Sequence, residues 1–468
     1  MNKIKHIVLY TGVLMLFAVG CEFGGENLDP NNQTDVALKN ILPAAITQAA
    51  YNQAASPARL SGIFMQHFSG FDAQQIDYEK YIVNETTLNN FWNFGLYTGV
   101  MKDAVVMIEK GQSEEDPQPY YVGIGKVLMA NALGYGTSVF GDMPYLEAFQ
   151  GVENTKPVYD TQESVYNSIQ ILLDEAITEL SKPAVPGGPA GDDLIYGGDA
   201  AKWILTARAL KARYYMHLTK RDASAASNAL GQISGSYTST ADQSDFVFDA
   251  AIAFANPLAL FGDGRPNTLV FNEGFEARLA DNSDPRKDKY TKLGAGAWLF
   301  YTGDPADGLF WANNDSPMPL ISYTEIKFLE AEALVRTGGT GANAVLQEAI
   351  ASNMDYLEID AADRDAYLGG VANIDGLSEA DAIKVIIEES YVALYGQAEP
   401  EVWANFRRTG HPAITPNSLG VNANNPSGVV PRRVPYPQNE KTTNEEMLNQ
   451  AISRQGPDLA DTDVWAFQ

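Results

Sequence analysis

Six aromatic residues, Tyr290, Trp298, Phe300, Tyr301, Phe310 and Trp311, fall in one stretch of the chain, and Asn313, Asn314 and Asp315 follow directly. Flat apolar rings beside amides and a carboxylate suit a sugar. A pyranose presents C–H faces to a ring while its hydroxyls need donors and acceptors, which is the mixture of apolar wall and few polar groups expected of a ligand site. Tyr290, Trp298, Tyr301, Phe310, Trp311, Asn313, Asn314 and Asp315 are therefore the candidate ligand-binding residues. The competing role for the same rings is anchorage, because a loop lying over a scaffold also needs aromatics to hold it down. A second aromatic group, His67, Phe68, Phe71, Tyr78 and Tyr81, occupies another turn-rich segment and is the secondary candidate.

Signatures of catalysis are missing. No G-x-S-x-G elbow, Walker A loop or complete G-x-G-x-x-G is present, and Gly123-x-Gly125 lacks the third glycine. Of the four histidines, His6 lies in the N-terminal segment, and His67, His217 and His411 have no partner at metal-ligand spacing. Asp304-Pro-Ala-Asp307-Gly308 has two acids and a glycine of a calcium loop but lacks the rest, so only an irregular calcium site stays open. No metal and no cofactor is expected. The 59 Asp and Glu residues leave a glycosidase pair open, since such a pair is defined by separation in space, but nothing local singles out two of them.

Composition narrows the classes further. Hydrophobic residues make up 45% of the 468 and charged residues 19%, a globular balance. With 32 Lys+Arg against 59 Asp+Glu the net charge is −27. That argues against nucleic acid as a partner, because affinity for it comes from cations neutralising phosphates. It also argues against docking on an anionic membrane face through a basic patch. One cysteine excludes disulfide frameworks, Cys-rich zinc sites and CxxC redox chemistry.

The N-terminus reads as a lipoprotein signal over residues 1–20. Lys3 and Lys5 precede an apolar stretch from Ile7 to Val19, shorter than the about 20 residues a membrane span needs. Ala18-Val19-Gly20-Cys21 then resembles a bacterial lipobox, which makes Cys21 the expected lipid-attachment residue. At about 0.8 kcal/mol per buried CH₂, two or more acyl chains anchor a protein stably. Loss of Lys3 and Lys5 with the signal takes the net charge from −27 to −29. Residues 21–33 are acidic and poor in apolar residues, and are expected to form a flexible tether.

Beyond the tether, helical periodicity predicts helices over 43–55, 85–110, 117–138, 161–180, 199–219, 320–337, 341–357, 378–396 and 399–408. Ser322-x-x-Glu325 and Ser378-x-x-Asp381 look like capping boxes, and Gly338-Gly339 looks like a stop. The helices come in adjacent pairs with small residues at the crossings, although no 34-residue period is visible. Residues 234–318 and the Pro-rich 409–443 lack helical period. The expected fold is mainly α, an irregular tetratricopeptide-like helical hairpin scaffold forming a single domain over 34–468. A loop-rich insertion at about 234–318 and a Pro-rich C-terminal wrap complete it.

Three stretches carry a family resemblance: Phe140-Gly-Asp-Met-Pro-Tyr145, Glu401-Val-Trp-Ala-Asn-Phe-Arg-Arg-Thr-Gly-His-Pro412, and Pro431-Arg-Arg-Val-Pro-Tyr-Pro437 with Glu440 and Asn444. With the lipobox and paired helices, the chain resembles the SusD/RagB family of outer-membrane nutrient-binding lipoproteins of Bacteroidetes, most closely its SusD-like branch. The resemblance implies attachment to the outer membrane through the lipid, facing the cell exterior. It also implies a SusC-type TonB-dependent β-barrel transporter as partner and an oligo- or polysaccharide as ligand, bound and delivered without catalysis. A RagB-like peptide-binding role and a surface glycoside hydrolase are the alternatives. Arg407, Arg408, Arg432 and Arg433 are expected to pair with carboxylates and fix the wrap.

Overall fold

Apolar residues spaced three and four apart build the first helix, Leu38–Ala54, whose Leu42, Ala45, Ile46, Ala49 and Ala50 are buried. The computed structural model describes residues 36–468 with the exception of Ala295. The expected signal, Cys21 and the tether lie outside the described residues. Residues 38–468 form one compact unit.

The hairpin scaffold follows the sequence periodicity. Pro119–Phe140 is buried at every position except Tyr120, as its almost uninterrupted run of apolar and small residues requires. Gly134 lets the Tyr214 ring approach so closely that a Cβ there would sit 2.1 Å from it. Helix Pro119–Phe140 packs on Gln162–Leu180, which packs on Ala200–His217, and that in turn on Ala225–Ile233; Tyr323–Thr337 packs on Ala342–Tyr356. Ser322 and Ser378 accept the backbone N–H groups of Glu325 and Asp381 at 3.2 Å, and Gly338 ends its helix at φ 67°.

Several boundaries differ from expectation. The helix expected from residue 85 begins at Phe91, because Asn84 Oδ1 takes the Thr86 N–H and hydroxyl while Thr87 Oγ1 takes the Asn84 N–H. Such side-chain bonds to the local backbone compete with helix formation. The segment Phe91–Met101 is wound as a π-helix, leaves helical geometry at Gly99 (φ −91°, ψ −108°), and runs on as the α-helix Lys102–Gly111.

The insertion is less irregular than its sequence suggests. It contains the short helices Pro257–Gly264, Glu273–Asp281 and Lys287–Tyr290. Elements of so few turns show little periodicity, and their legible signals are the caps, Asn256 on the Leu258 N–H and Asn272 on the Phe275 N–H. Of three two-stranded antiparallel pairs, Phe68–Gly70 with Leu269–Phe271 ties the insertion to the scaffold, while Asp245–Val247 with Pro317–Pro319 and Lys292–Leu293 with Trp298–Leu299 close the insertion on itself.

The stretches that carry the family resemblance meet in space. Tyr436 Oη donates to the Asp142 carbonyl at 2.6 Å, and the Val434 N–H to the Val139 carbonyl at 3.1 Å. Tyr159 Oη donates to Glu440 at 2.6 Å, and Asn444 Nδ2 to the Pro157 carbonyl at 2.9 Å. The arginines divide the work differently from expectation. Arg408 forms a buried bidentate pair with Glu332. Arg407 instead donates to the carbonyls of Ser138 at 2.5 Å and Arg432 at 3.1 Å, with its guanidinium 3.7 Å from the Trp403 ring centroid. Carbonyls replace a carboxylate there because Ser138 lies in the last turn of helix Pro119–Phe140, where carbonyls have no intrahelical partner, and Arg432 lies in the Pro-rich wrap, outside any ladder. Arg433 lies 4.5 Å from the Tyr436 ring centroid and 3.5 Å from Asp458, and Arg432 reaches Asp463 only at 3.8 Å.

Candidate functional site

The insertion aromatics divide by burial. Tyr290 and Trp311 are each 1% exposed and offer no face to a ligand. The Tyr290 ring lies 4.6 Å from Tyr395 and its hydroxyl donates to the Val392 carbonyl at 3.2 Å. Trp311 contacts Phe310 and Tyr356, and fills the space a Cβ at Gly396 would need, 2.6 Å away. Both are anchors of the insertion on the scaffold, the competing role that the sequence left open. Phe300 is likewise buried against Phe68.

Trp298, Tyr301 and Phe310 are partly exposed, and Asp315 is exposed. Trp298 sits in its strand pair with Lys287 Nζ 5.1 Å from the ring, and no ring contact joins it to Trp311 among the described residues. Tyr301, Asn313 and Asn314 do come together, but around a recess of about 50 Å³, too small for a sugar ring. Tyr301 lies against Gly262, where a Cβ would be 2.5 Å from the ring, and its hydroxyl donates to Asp263 at 3.3 Å. The Asn314 carbonyl accepts the Asn256 N–H at 2.7 Å. These residues therefore brace helix Pro257–Gly264 at its start and along its side.

That helix is one wall of a cleft of about 430 Å³, within the range of small-molecule sites. Phe261 and Arg265 come from this wall; Ser56, Arg59 and Leu60 come from helix Ser56–Phe64; Gln74, Gln75 and Tyr78 come from helix Gln74–Glu79. The turn before the π-helix adds Thr86, Thr87, Asn89 and Asn90. Strand pairing sets the two walls in register, Phe68 opposite Phe271 and Gly70 opposite Leu269. Beyond it, the N–H groups of Phe71 and Asp72 both donate to the Thr268 carbonyl, at 2.9 and 3.1 Å.

The lining combines an apolar face with convergent polar groups. Buried Leu60 and Phe91 and the partly exposed Phe261 supply apolar surface. Gln75 is 5% exposed, yet its Oε1 has no hydrogen-bond partner among the described residues. Such a buried acceptor is costly to leave unmade. Burial pushes the Tyr78 phenol up to about 12, so it stays protonated at neutral pH. The amides of Asn89 and Asn90 complete a set of donors and acceptors suited to hydroxyls.

Two larger hollows are less suited. One of about 830 Å³ is edged by Asp281, Asp363, Glu388 and Glu389, and its Arg278 is already 3.7 Å from Glu388. Another of about 510 Å³ is lined by Pro117, Pro119, Val122, Pro183 and Val185, with Lys182 paired to Glu179 at 2.6 Å. Among the described residues neither brings an unpartnered buried side-chain polar atom to an aromatic face.

The other candidate chemistries resolve into structural roles. His67 Nδ1 is 2.8 Å from Glu399 and His217 Nε2 is 2.7 Å from Glu401, all buried or nearly so. Asp304 caps the N–H of Ala306, and Asp307 pairs with Lys292. Among the described residues no group of three or more His, Cys, Asp or Glu could hold a metal ion, and no helix is long and apolar enough to cross a membrane.

Sequence reasoning reached the cleft only through Tyr78, a member of the secondary aromatic group. Arg59, Gln75, Asn89, Asn90, Phe261 and Arg265 carried no local signal beyond the polar run Thr86-Thr-Leu-Asn-Asn90.

Comparison with known proteins accords with this fold. A solved chitin-binding protein is 24% identical, with 92% of this chain and 100% of that one covered at a TM-score of 0.78. A SusD/RagB family protein from Bacteroides thetaiotaomicron is also 24% identical, covering 92% of this chain and 99% of that one at 0.77. A SusD homolog from Bacteroides fragilis is 22% identical over 91% of this chain and 100% of that one at 0.72. No curated protein sequence matches the chain. The family model described as starch-binding associating with outer membrane matches residues 30–437. The chain belongs to this SusD-like family of starch-binding proteins associated with the outer membrane.

Proposed function

We propose that the protein is a cell-surface lipoprotein, anchored through Cys21, that binds an oligo- or polysaccharide in the cleft between helices Ser56–Phe64 and Pro257–Gly264. It hands the glycan to a SusC-type TonB-dependent outer-membrane transporter. The observation that carries the reading is the pairing of an aromatic face, Phe261, with the unpartnered buried acceptor Gln75 Oε1 in one open cleft. Membership of a starch-binding outer-membrane family supports it. In this reading Tyr301 and Asn314 position the cleft wall, while Trp298 is an outlying ring available to a longer chain.

Binding without hydrolysis is the companion proposal. A glycosidase needs two carboxyl groups flanking the scissile bond, and among the described residues the cleft lining contains neither Asp nor Glu. The deeply buried carboxylates are engaged elsewhere, Glu325 with Arg213, Glu332 with Arg408, Glu399 with His67 and Glu401 with His217. Affinity electrophoresis of the full chain through polysaccharide-containing gels tests the reading. Retardation that disappears in Phe261→Ala with unchanged melting supports it, and retardation unaffected by that change contradicts the cleft assignment.

A further inference from the structure

The cleft has the opposite charge to the chain around it. Against a net charge of −27, its lining holds Arg59 and Arg265 and, among the described residues, no acid. Elsewhere buried arginines are matched to carboxylates, Arg213 to Glu325 and Arg286 to Asp284, both at 2.6 Å, and Arg408 to Glu332, or, for Arg407, to backbone carbonyls. In the cleft they are not. Half-buried Arg59 has one side-chain hydrogen bond, to Ser56 Oγ at 3.2 Å, and neither Arg59 nor Arg265 has an ion pair among the described residues.

Both guanidinium groups stand by one ring, 4.2 and 5.8 Å from the Phe261 centroid. Burial lowers the Arg59 pKa to about 10 and the nearby Arg265 adds to the fall, so Arg59 remains charged at neutral pH. Two like charges beside one ring with no counter-charge, Arg59 half-buried and Arg265 exposed, are unfavourable, most of all for the half-buried one. An anionic group on a ligand relieves both at once, through charge-assisted hydrogen bonds that a guanidinium makes well with carboxylates and sulfate-like oxyanions. A small inorganic anion would leave the 430 Å³ cleft mostly open and Gln75 Oε1 without a donor. A sugar bearing an acidic group satisfies the guanidinium groups, the buried amide oxygen and the ring together.

We propose that the cleft selects an acidic oligosaccharide, with a carboxylate or sulfate ester of the sugar set against Arg59 and Arg265 and a hydroxyl donating to Gln75. The proposal rests on the glycan reading of the same cleft and deepens it.

Isothermal titration of the full chain in detergent tests it, with oligogalacturonate, a sulfated chondroitin oligosaccharide, a neutral malto-oligosaccharide of matched length, and oligo-glutamate. Expected is at least about tenfold tighter binding of one or both acidic sugars than of the neutral one, weakening as salt is raised. Preference for the uronate or for the sulfate identifies the anionic group. Exposed Arg265→Gln and half-buried Arg59→Gln should each remove most of the preference, with melting of Arg265→Gln unchanged. Equal affinity for neutral and acidic sugars, abolished by Phe261→Ala, overturns the acidic preference and leaves the glycan reading standing. An acidic-sugar affinity indifferent to both arginine changes overturns the placement. Oligo-glutamate binding as tightly as the sugars overturns the saccharide assignment, and binding of no sugar overturns both readings.

Discussion

The Arg59 guanidinium lies 4.2 Å from the centroid of the Phe261 ring, across the cleft between the first scaffold helices and the insertion. One residue belongs to helix Ser56–Phe64 and the other to helix Pro257–Gly264. The contact therefore reports directly on whether the insertion is seated against the scaffold.

Seating should depend on residues that never touch the ligand. Tyr301 packs on Gly262 and donates to Asp263, so Tyr301→Ala should loosen the wall that carries Phe261. The expected result is a fall in glycan affinity of about tenfold, equivalent to about 1.4 kcal/mol, with a small change in melting temperature. Titration calorimetry beside a thermal melt separates this from unfolding.

Trp311 and Trp298 should behave oppositely. Trp311→Ala removes a fully buried ring and should cost about 3–5 kcal/mol of stability. Trp298 is partly exposed, so Trp298→Ala should barely shift a denaturation midpoint. Chemical denaturation of both variants is the check.

The contrast between those two tryptophans shows what was legible in the sequence. Helices long enough to repeat their apolar stripe, such as Gln162–Leu180 with Val165, Ile169, Leu172 and Ala176 buried, were readable from that period. The insertion aromatics stood out as a group, but one sequence cannot say which ring faces inward when no period fixes a face. Arg59 and Arg265 are the harder case. Their meaning lies in the carboxylates they lack, and a missing partner is visible only once distant segments are folded together.

Acid should weaken the fold through Glu332. Burial pushes its pKa up, but Arg408 and Arg336 outweigh that and hold it below the ordinary carboxylate value. A carboxylate depressed in the folded state gives stability that is complete above its unfolded pKa of about 4.3 and is lost as pH falls through the lower folded value. Glu332→Gln should lose about 3–5 kcal/mol at neutral pH, because a buried guanidinium is left unpaired. Below about pH 4 its deficit relative to the parent should shrink. Urea unfolding at a series of pH values reads both effects.

Cys21→Ala should leave the protein without fatty acid and free of the membrane fraction, since the anchor then loses the about 0.8 kcal/mol that each buried CH₂ contributes. Metabolic labelling with palmitate and fractionation measure this. Persistence of the variant in the membrane fraction would contradict the anchor.

The most direct test of cleft binding is a crystal structure of the full chain soaked with an oligosaccharide that it binds in solution. Expected is a sugar ring on the Phe261 face with a hydroxyl within hydrogen-bond distance of Gln75 Oε1. A sugar found instead along the hollow beside Arg278 and Glu388, or on the Trp298 strand pair with the cleft empty, would contradict it.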